Sequence, residues 1–332
     1  MRIAIVKLSA LGDIVHAMVV LQFIKKFNQE ISIDWFVEEC YKELLEFNPQ
    51  INKVHSVNIL RAKEKKSIFI LIKELMKLRK LSSYDLVIDM QGLIKSAIIS
   101  QLIPSKHTLG FDEESVREKL ASKFYNKHFK YNYHDNVIER NFEIVKSAIG
   151  FPSSKNELLF KKPFLYAAAK YNAELLLNSK KNILIIPGAS NKSKCFPVDK
   201  FAEVINTIDE NFIIVWGSKN ELVLAQQIKA LAPKSKVSDN LSLDSLISLI
   251  SQVDLVIGSD TGPTHMAWAL NRPSITLYGS TPGKRNSLIT DKNIIIESSS
   301  KVDPYKINKK DYSIRNIKVD DIVKMTYSQL NH

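Results

Sequence analysis

The stretch Val253–Gly279, VDLVIGSDTGPTHMAWALNRPSITLYG, constrains the fold more than any other part of the chain. Leu255, Val256 and Ile257 make a short apolar run, the pattern of a strand buried on both faces. Gly258, Ser259 and Asp260 end it, and Thr261-Gly262-Pro263 reads as a turn into a helix over Thr264–Leu270. Thr261 suits the N-cap, and Pro263 suits a first turn, where its missing N–H had no intrahelical partner to lose. Asn271-Arg272-Pro273 stops the helix, and Ser274–Tyr278 is a second buried strand. Two such strands joined by a helix run the same way, so the unit demands a parallel sheet covered by helices. Asp, Thr, Gly and His gather where the helix begins, and its free N–H groups and positive dipole end favour a phosphate. The plainer reading is a capped crossover helix with no ligand.

The same alternation fills the rest of the sequence. Strand Arg2–Lys7, loop Leu8–Asp13 and an amphipathic helix Ile14–Asn28 open it. Strands at Ile31–Val37, Lys53–Val57, Asp85–Asp89 and Thr108–Phe111 then alternate with helices at Lys42–Phe47, Ile68–Leu81, Ser115–Phe124 and Asn136–Ile149. Gln91–Ser96 leads a further helix. Beyond the connector Phe151–Pro163 come helices at Ala167–Leu177, Val198–Ile208, Asn220–Leu231 and Leu243–Ser251, with strands at Asn182–Ile186 and Phe212–Trp216. Strand Ile294–Ile296 and helix Val319–Leu330 finish the chain. Its 332 residues are enough for two cores, placed at 1–165 and 166–332. In sheets of this class ligands lie beyond the carboxyl ends of the strands.

Several function classes are disfavoured. A dinucleotide-dependent dehydrogenase or epimerase needs GxGxxG after the first strand, which is absent. Cys40 and Cys195 have neither zinc nor disulfide spacing and fit a reducing cytoplasm. No carboxylate or histidine cluster has metal-ligand spacing, so neither metal nor cofactor is expected. Lys7, Asp13 and His16 break the first apolar run, which argues against a signal peptide. No run approaches the ~20 apolar residues that span a bilayer. The net charge of +12 gathers at Arg61, Lys63, Lys65 and Lys66, at Lys77, Arg79 and Lys80, and from Arg117 to Lys130. A solvated surface would explain it; so would anionic lipid or an acidic substrate. Nucleic acid is not expected, because no nucleic-acid motif accompanies the charge.

Five segments, in order, carry a resemblance: KLSALGDIVH (Lys7–His16), DMQGLIKSA (Asp89–Ala97), PGASNKSKCFP (Pro187–Pro197), WGSKNE (Trp216–Glu221) and SDTGPTHMAWAL (Ser259–Leu270). With them the chain resembles the heptosyltransferases of lipopolysaccharide inner-core assembly over nearly its whole length. The resemblance implies an α/β GT-B architecture: two Rossmann-like domains facing each other across a cleft, acceptor side first and nucleotide-sugar side second. The last helix, about 318–330, would return to the first domain. It implies inverting transfer of L-glycero-D-manno-heptose from ADP-heptose to a Kdo residue of Kdo-lipid A, by a protein peripheral on the cytoplasmic face of a Gram-negative inner membrane. The alternatives are addition of the second heptose, or a non-catalytic basic protein bound to an anionic membrane surface.

On this resemblance Asp13 is the catalytic base, a carboxylate that takes the proton of the attacking sugar hydroxyl. Its alternative role is N-cap of the helix expected from Ile14. Ser9 and Gly12 shape that loop and face the acceptor, while Arg61, Lys63 and Arg117 are candidates for its carboxylates and phosphates. Lys194 would neutralise the leaving diphosphate, with Ser190 as a hydrogen-bond donor and Ala189 serving through its backbone. Thr261 and Gly262 offer backbone N–H groups to phosphate. Asp260 is expected to face the sugar, since a bare carboxylate beside phosphate is repelled, and His265 to orient heptose hydroxyls or support the turn. Glu221 looks like the residue for the ribose hydroxyls and Leu241 like an adenine-side backbone position. Trp216 reads as core rather than as a stacking platform.

Overall fold

The computed structural model describes residues 1–168, 171 and 173–331. They divide into two compact units, Met1–Phe164 and Leu165–His332.

In the first unit β1 (Arg2–Val6), α1 (Leu11–Met18), α2 (Val20–Phe27), β2 (Ser32–Glu38), α3 (Glu43–Glu46) and β3 (Lys53–Val57) come first. Then follow α4 (Ile59–Glu64), α5 (Ile68–Arg79), β4 (Tyr84–Asp89), α6 (Ile94–Leu102), β5 (Ser105–Phe111), β6 (Lys127–Phe129) and α7 (Val137–Ile149). The strands form one parallel sheet in the order β3-β2-β1-β4-β5-β6. The chain winds outward from β1 to β3 and then restarts on the other side at β4, so the topological switch lies between β1 and β4. In register, Val6 pairs with Asp89 there. The strand interiors are solid runs of buried Ile, Val and Phe, as helices on both faces require.

The second unit repeats the plan. It holds β7 (Asn182–Ile186), α8 (Val198–Thr207), β8 (Asn211–Ile214), α9 (Lys219–Leu231), β9 (Lys236–Val237) and α10 (Leu243–Ile250). It continues with β10 (Leu255–Ser259), α11 (Gly262–Ala269), β11 (Ser274–Tyr278), α12 (Gly283–Asn286), β12 (Asn293–Glu297) and α13 (Val319–Leu330). The parallel order is β12-β11-β10-β7-β8-β9, with its switch between β7 and β10.

Several expectations need correction. The first helix starts at Leu11 rather than Ile14 and is interrupted at Val19, so Gly12 and Asp13 lie inside its first turn. The segment expected as a helix over Ser115–Phe124 tightens to a 3-10 helix at Lys119–Phe124. Part of the helix expected at Ala167–Leu177 lies outside the described residues; Ala173–Leu175 is a 3-10 turn. The final helix, α13, packs on α8, β10 and β11. Val319 and Ile322 put its apolar face into the second unit's core beside Ile314 and Ile317.

Candidate functional site

In the first unit the candidate residues occupy the segments that follow β1, β3 and β5, at the carboxyl end of the sheet. Ala10 is the N-cap residue of α1 but has no side-chain acceptor to offer. Asp13, at the third helical position, supplies the complementary bond: its Oδ2 accepts from the Ala10 N–H at 3.2 Å. Asp13 therefore does not fill its alternative role as the N-cap, and its carboxylate stays exposed at the switch point. The loop before it is held from the β4 side. Gln91 Oε1 accepts from the Leu8 N–H at 2.7 Å, and the Lys95 ammonium donates to Ser9 Oγ at 2.7 Å.

Gln91 is placed by Asp89, whose Oδ1 accepts from the Gln91 N–H at 2.8 Å and the Gly92 N–H at 3.2 Å. Gly92 makes this turn at φ +67°, a conformation side chains disfavour. Tyr125 donates to Asp89 Oδ2 at 2.8 Å. Burial pushes the Asp89 carboxyl upward, against the pull of these bonds. Glu38, buried at the end of β2, accepts from the Leu60 N–H at 3.4 Å through Oε2; among the described residues its Oε1 has no hydrogen-bond partner. Burial raises its carboxyl too, moderated by the Leu60 amide and the Lys95 charge.

Gln91, Lys95 and Glu38 went unselected as site residues from sequence. The signal for the first two was present, since both lie in the Asp89–Ala97 segment. Arg61 and Lys63 are exposed on α4, which begins two residues after β3. Arg117 is exposed and lies 3.8 Å from Glu118, whose other oxygen accepts from the Ile94 N–H at the start of α6.

In the second unit Ala189, Ser190 and Lys194 follow β7, Glu221 follows β8, Leu241 follows β9, and Asp260, Thr261, Gly262 and His265 follow β10. All nine thus stand beyond the carboxyl ends of their strands. The long loop after β7 contains a 3-10 turn, Lys192–Lys194, that turns Lys194 inward. Its ammonium lies 2.7 Å from Asp260 Oδ2, and His265 Nε2 lies 3.0 Å from Asp260 Oδ1. Asn286 Nδ2 adds a longer donor at 3.4 Å. Burial alone would raise the Asp260 carboxyl. The His265 bond and the Lys194 charge outweigh it and hold the group well below the usual carboxylate range. Asp260 therefore anchors Lys194 and His265 rather than standing bare toward a sugar, and Lys194 has a carboxylate partner before any diphosphate arrives.

Helix α11 begins at Gly262, two residues earlier than expected, with Thr261 at the N-cap. The Thr261 hydroxyl makes no cap hydrogen bond, and the Thr264 hydroxyl donates to Ser259 O at 2.9 Å. Side chains therefore leave the helix N-terminus to a ligand's oxygens.

Glu221 is the third residue of α9. Its Oε2 accepts from the Gly217 and Ser218 N–H groups at 2.9 and 2.8 Å. Its Oε1 lies over Gly188, where an added Cβ would stand 2.3 Å away. Glycine lets the two loops approach, and the fixed carboxylate can accept from a pair of sugar hydroxyls. Ser190 is exposed, while Ala189 and Leu241 are half-buried. Trp216 donates to Ser238 O at 2.8 Å and packs on the core.

Comparison with known proteins gives this geometry its context. Residues 72–313 match the model of glycosyltransferase family 9 (heptosyltransferase). The chain is 38% identical to lipopolysaccharide heptosyltransferase 1 of Campylobacter coli, over 98% of this chain and 98% of the relative. The solved structure of E. coli heptosyltransferase WaaC with ADP superposes with a TM-score of 0.81 at 22% identity, covering 99% of this chain and all of that one. The structure of the same enzyme with ADP-2-deoxy-2-fluoro heptose gives 0.78 at 22% identity, over the full length of both chains. The fold class is that of these GT-B enzymes.

Proposed function

Since this chain belongs to glycosyltransferase family 9 and is an enzyme of lipopolysaccharide heptosyl transfer, we propose that it moves L-glycero-D-manno-heptose from ADP-heptose to a Kdo residue of Kdo-lipid A. The observation that carries this reading is the end-to-end likeness to a heptosyltransferase 1.

In the proposed reaction a Kdo hydroxyl attacks the anomeric carbon opposite the departing ADP, inverting the centre. The Asp13 carboxylate takes the hydroxyl proton, a task for which its exposure suits it. The bond from the anomeric carbon to the β-phosphate oxygen breaks and its electron pair leaves with ADP. The added charge on the diphosphate falls to Lys194 and the N–H groups at the start of α11. Asp260 and His265 hold Lys194 ready, and Glu221 Oε1 receives the ribose hydroxyls. Ser190, Ala189 and Leu241 line the nucleotide side. Ser9, Gly12, Arg61, Lys63 and Arg117 take the acceptor's sugar and anionic groups. With these cations in place the transfer needs no metal or cofactor, so chelation with EDTA should leave the rate unchanged; a rate that collapses and returns with magnesium refutes this.

The enzyme acts as a peripheral protein on the anionic cytoplasmic face of the inner membrane. Its basic surface supports this, and no helix among the described residues is long and apolar enough to cross a bilayer. The test is incubation with ADP-heptose and Kdo-lipid A, following ADP release and the mass of the lipid product. Transfer only to acceptor that already carries one heptose would instead identify the second-heptose reaction. No ADP release with either acceptor would refute the assignment.

A further inference from the structure

Helix α5 carries one broad apolar face, only half of which the fold uses. At about 100° per residue, Leu71, Leu75 and Leu78 share one side, and Leu78 is buried in the first unit's core with Leu75 packed against it. Ile68, Phe69, Ile72 and Met76 extend that side by a further arc about 100° wide, and all four are exposed, Phe69 by 82%. Leu60, on the preceding α4, is exposed as well. An amphipathic helix of a globular protein normally turns its second face polar; a contiguous exposed apolar arc marks a surface that meets something apolar.

The charge around the arc says what that is. Residues 61–80 hold eight Lys or Arg against two Glu, a net +6 of the chain's +12. Glu74 is buried and accepts from Lys77 at 2.6 Å, so the exposed border is strongly basic. Lys73, Lys77 and Lys80 follow one side of the arc, Arg79 closes its C-terminal end, and Lys65 and Lys66 stand before its start. An aromatic and aliphatic centre with cations along one flank and at both ends matches an anionic bilayer surface, with apolar side chains among the acyl chains and the cations at the phosphates. A second copy of the chain would bring the same positive rim against itself.

We infer that α5 is the element by which this protein docks on an anionic membrane, lying in the interface with Ile68, Phe69, Ile72 and Met76 inserted. The inference rests on the proposal that the acceptor is a membrane lipid. It adds a placement: α4, with Arg61 and Lys63, leads into α5 from the carboxyl end of β3, so docking sets the acceptor-side loops at the headgroup level.

The test uses the full chain and vesicles of phosphatidylcholine with or without phosphatidylglycerol, followed by sedimentation. Phe69→Ser/Ile72→Ser should weaken partition to anionic vesicles by about 10- to 100-fold. Lys73→Gln/Lys80→Gln should weaken it by about fivefold per charge at low salt, and much less at high salt. A Phe69→Trp variant should show a blue-shifted emission with anionic vesicles and quenching by brominated acyl chains. ADP release on a delipidated, soluble acceptor should be the same for the wild type and the Phe69→Ser/Ile72→Ser variant. Equal partition of that variant and the wild type would overturn the inference. So would an indole in the Phe69→Trp protein that remains unquenched, or a wild-type dimer that the serine pair converts to monomer. Failure of the wild type to release ADP with any acceptor would count against the proposed reaction alone, while the vesicle measurements would still decide the role of α5.

Discussion

A single carboxylate carries the proposed proton transfer, and the structure separates its chemical role from its structural one. Asp13 accepts one N–H bond, from Ala10, which an asparagine side-chain oxygen can also accept. Asp13→Asn should therefore keep fold and donor affinity while transfer falls by about 10²–10⁴-fold. The loss should lie in kcat rather than in donor binding, which calorimetry with ADP and an ADP-release assay measure separately. Normal turnover in the variant would make Asp13 only a helix-terminus residue.

Lys194 is different, because its removal has two consequences. It deletes the cation assigned to the diphosphate and leaves a buried Asp260 with only His265 and Asn286. Lys194→Ala should cost about 3 kcal/mol of stability, the lower end for breaking a buried pair. Asp260→Asn in the same chain should restore part of that stability and none of the activity. If chemical denaturation shows the double variant no more stable than Lys194→Ala, the pair is not what Lys194 contributes to the fold.

At the scale of elements, much of the site was legible because helix starts and strand ends have their own chemistry. The βαβ unit from Leu255 to Tyr278 was read directly from two apolar runs and the Gly-Pro turn between them. The start of α1 was not, because Ala10 is a poor cap and Gly12 is a poor helix former, so the local signal pointed to a loop. Strands β6 and β9 escaped notice for a related reason: Lys127-His128-Phe129 and Lys236-Val237 are too short and too polar to show a period. The Lys194–Asp260 pair spans 66 residues of sequence, and no local pattern announces such a contact. Likewise the period of α5 predicts a helix but cannot say which half of its broad apolar face meets the core.

Helix α9 offers a test at this scale. Ser218 Oγ accepts from the Glu221 N–H at 3.4 Å, a long bond, while Glu221 Oε2 is fixed by two backbone donors. Ser218→Ala should lower stability by about 0.5–1 kcal/mol and leave ADP affinity unchanged. Glu221→Ala should lower both, since it removes the cap partner and the carboxylate over Gly188. Equal ADP affinity in the Glu221→Ala protein would remove that residue from the donor site.

For the whole molecule, the first unit contains an acid-sensitive tie across four of its strands. Arg2 on β1, His55 on β3 and Tyr84 on β4 all converge on Asp34 of β2, with the Arg2 and Tyr84 contacts at 2.7 and 2.6 Å and His55 at 3.3 Å. Burial works against the Asp34 charge, yet the bonds from His55, Tyr84 and Arg2 prevail and lower its carboxyl from 3.8 to about 2. The unfolded chain therefore binds this proton more readily than the folded one. The stabilisation is fully present above about pH 4 and is lost as pH falls through about 2, amounting to about 2 kcal/mol. Asp34→Asn removes the titration together with the charge. Urea unfolding between pH 5 and pH 2, read by hydrogen exchange in the β2 segment, should show a steep decline for the wild type and a shallower one for the variant. Exchange in the β10 segment serves as the internal comparison, because Asp34→Asn leaves the Lys194 and His265 contacts of Asp260 in the second unit untouched. Should both proteins lose β2 protection with the same pH slope, the acid response of the first unit must come from carboxylates other than Asp34.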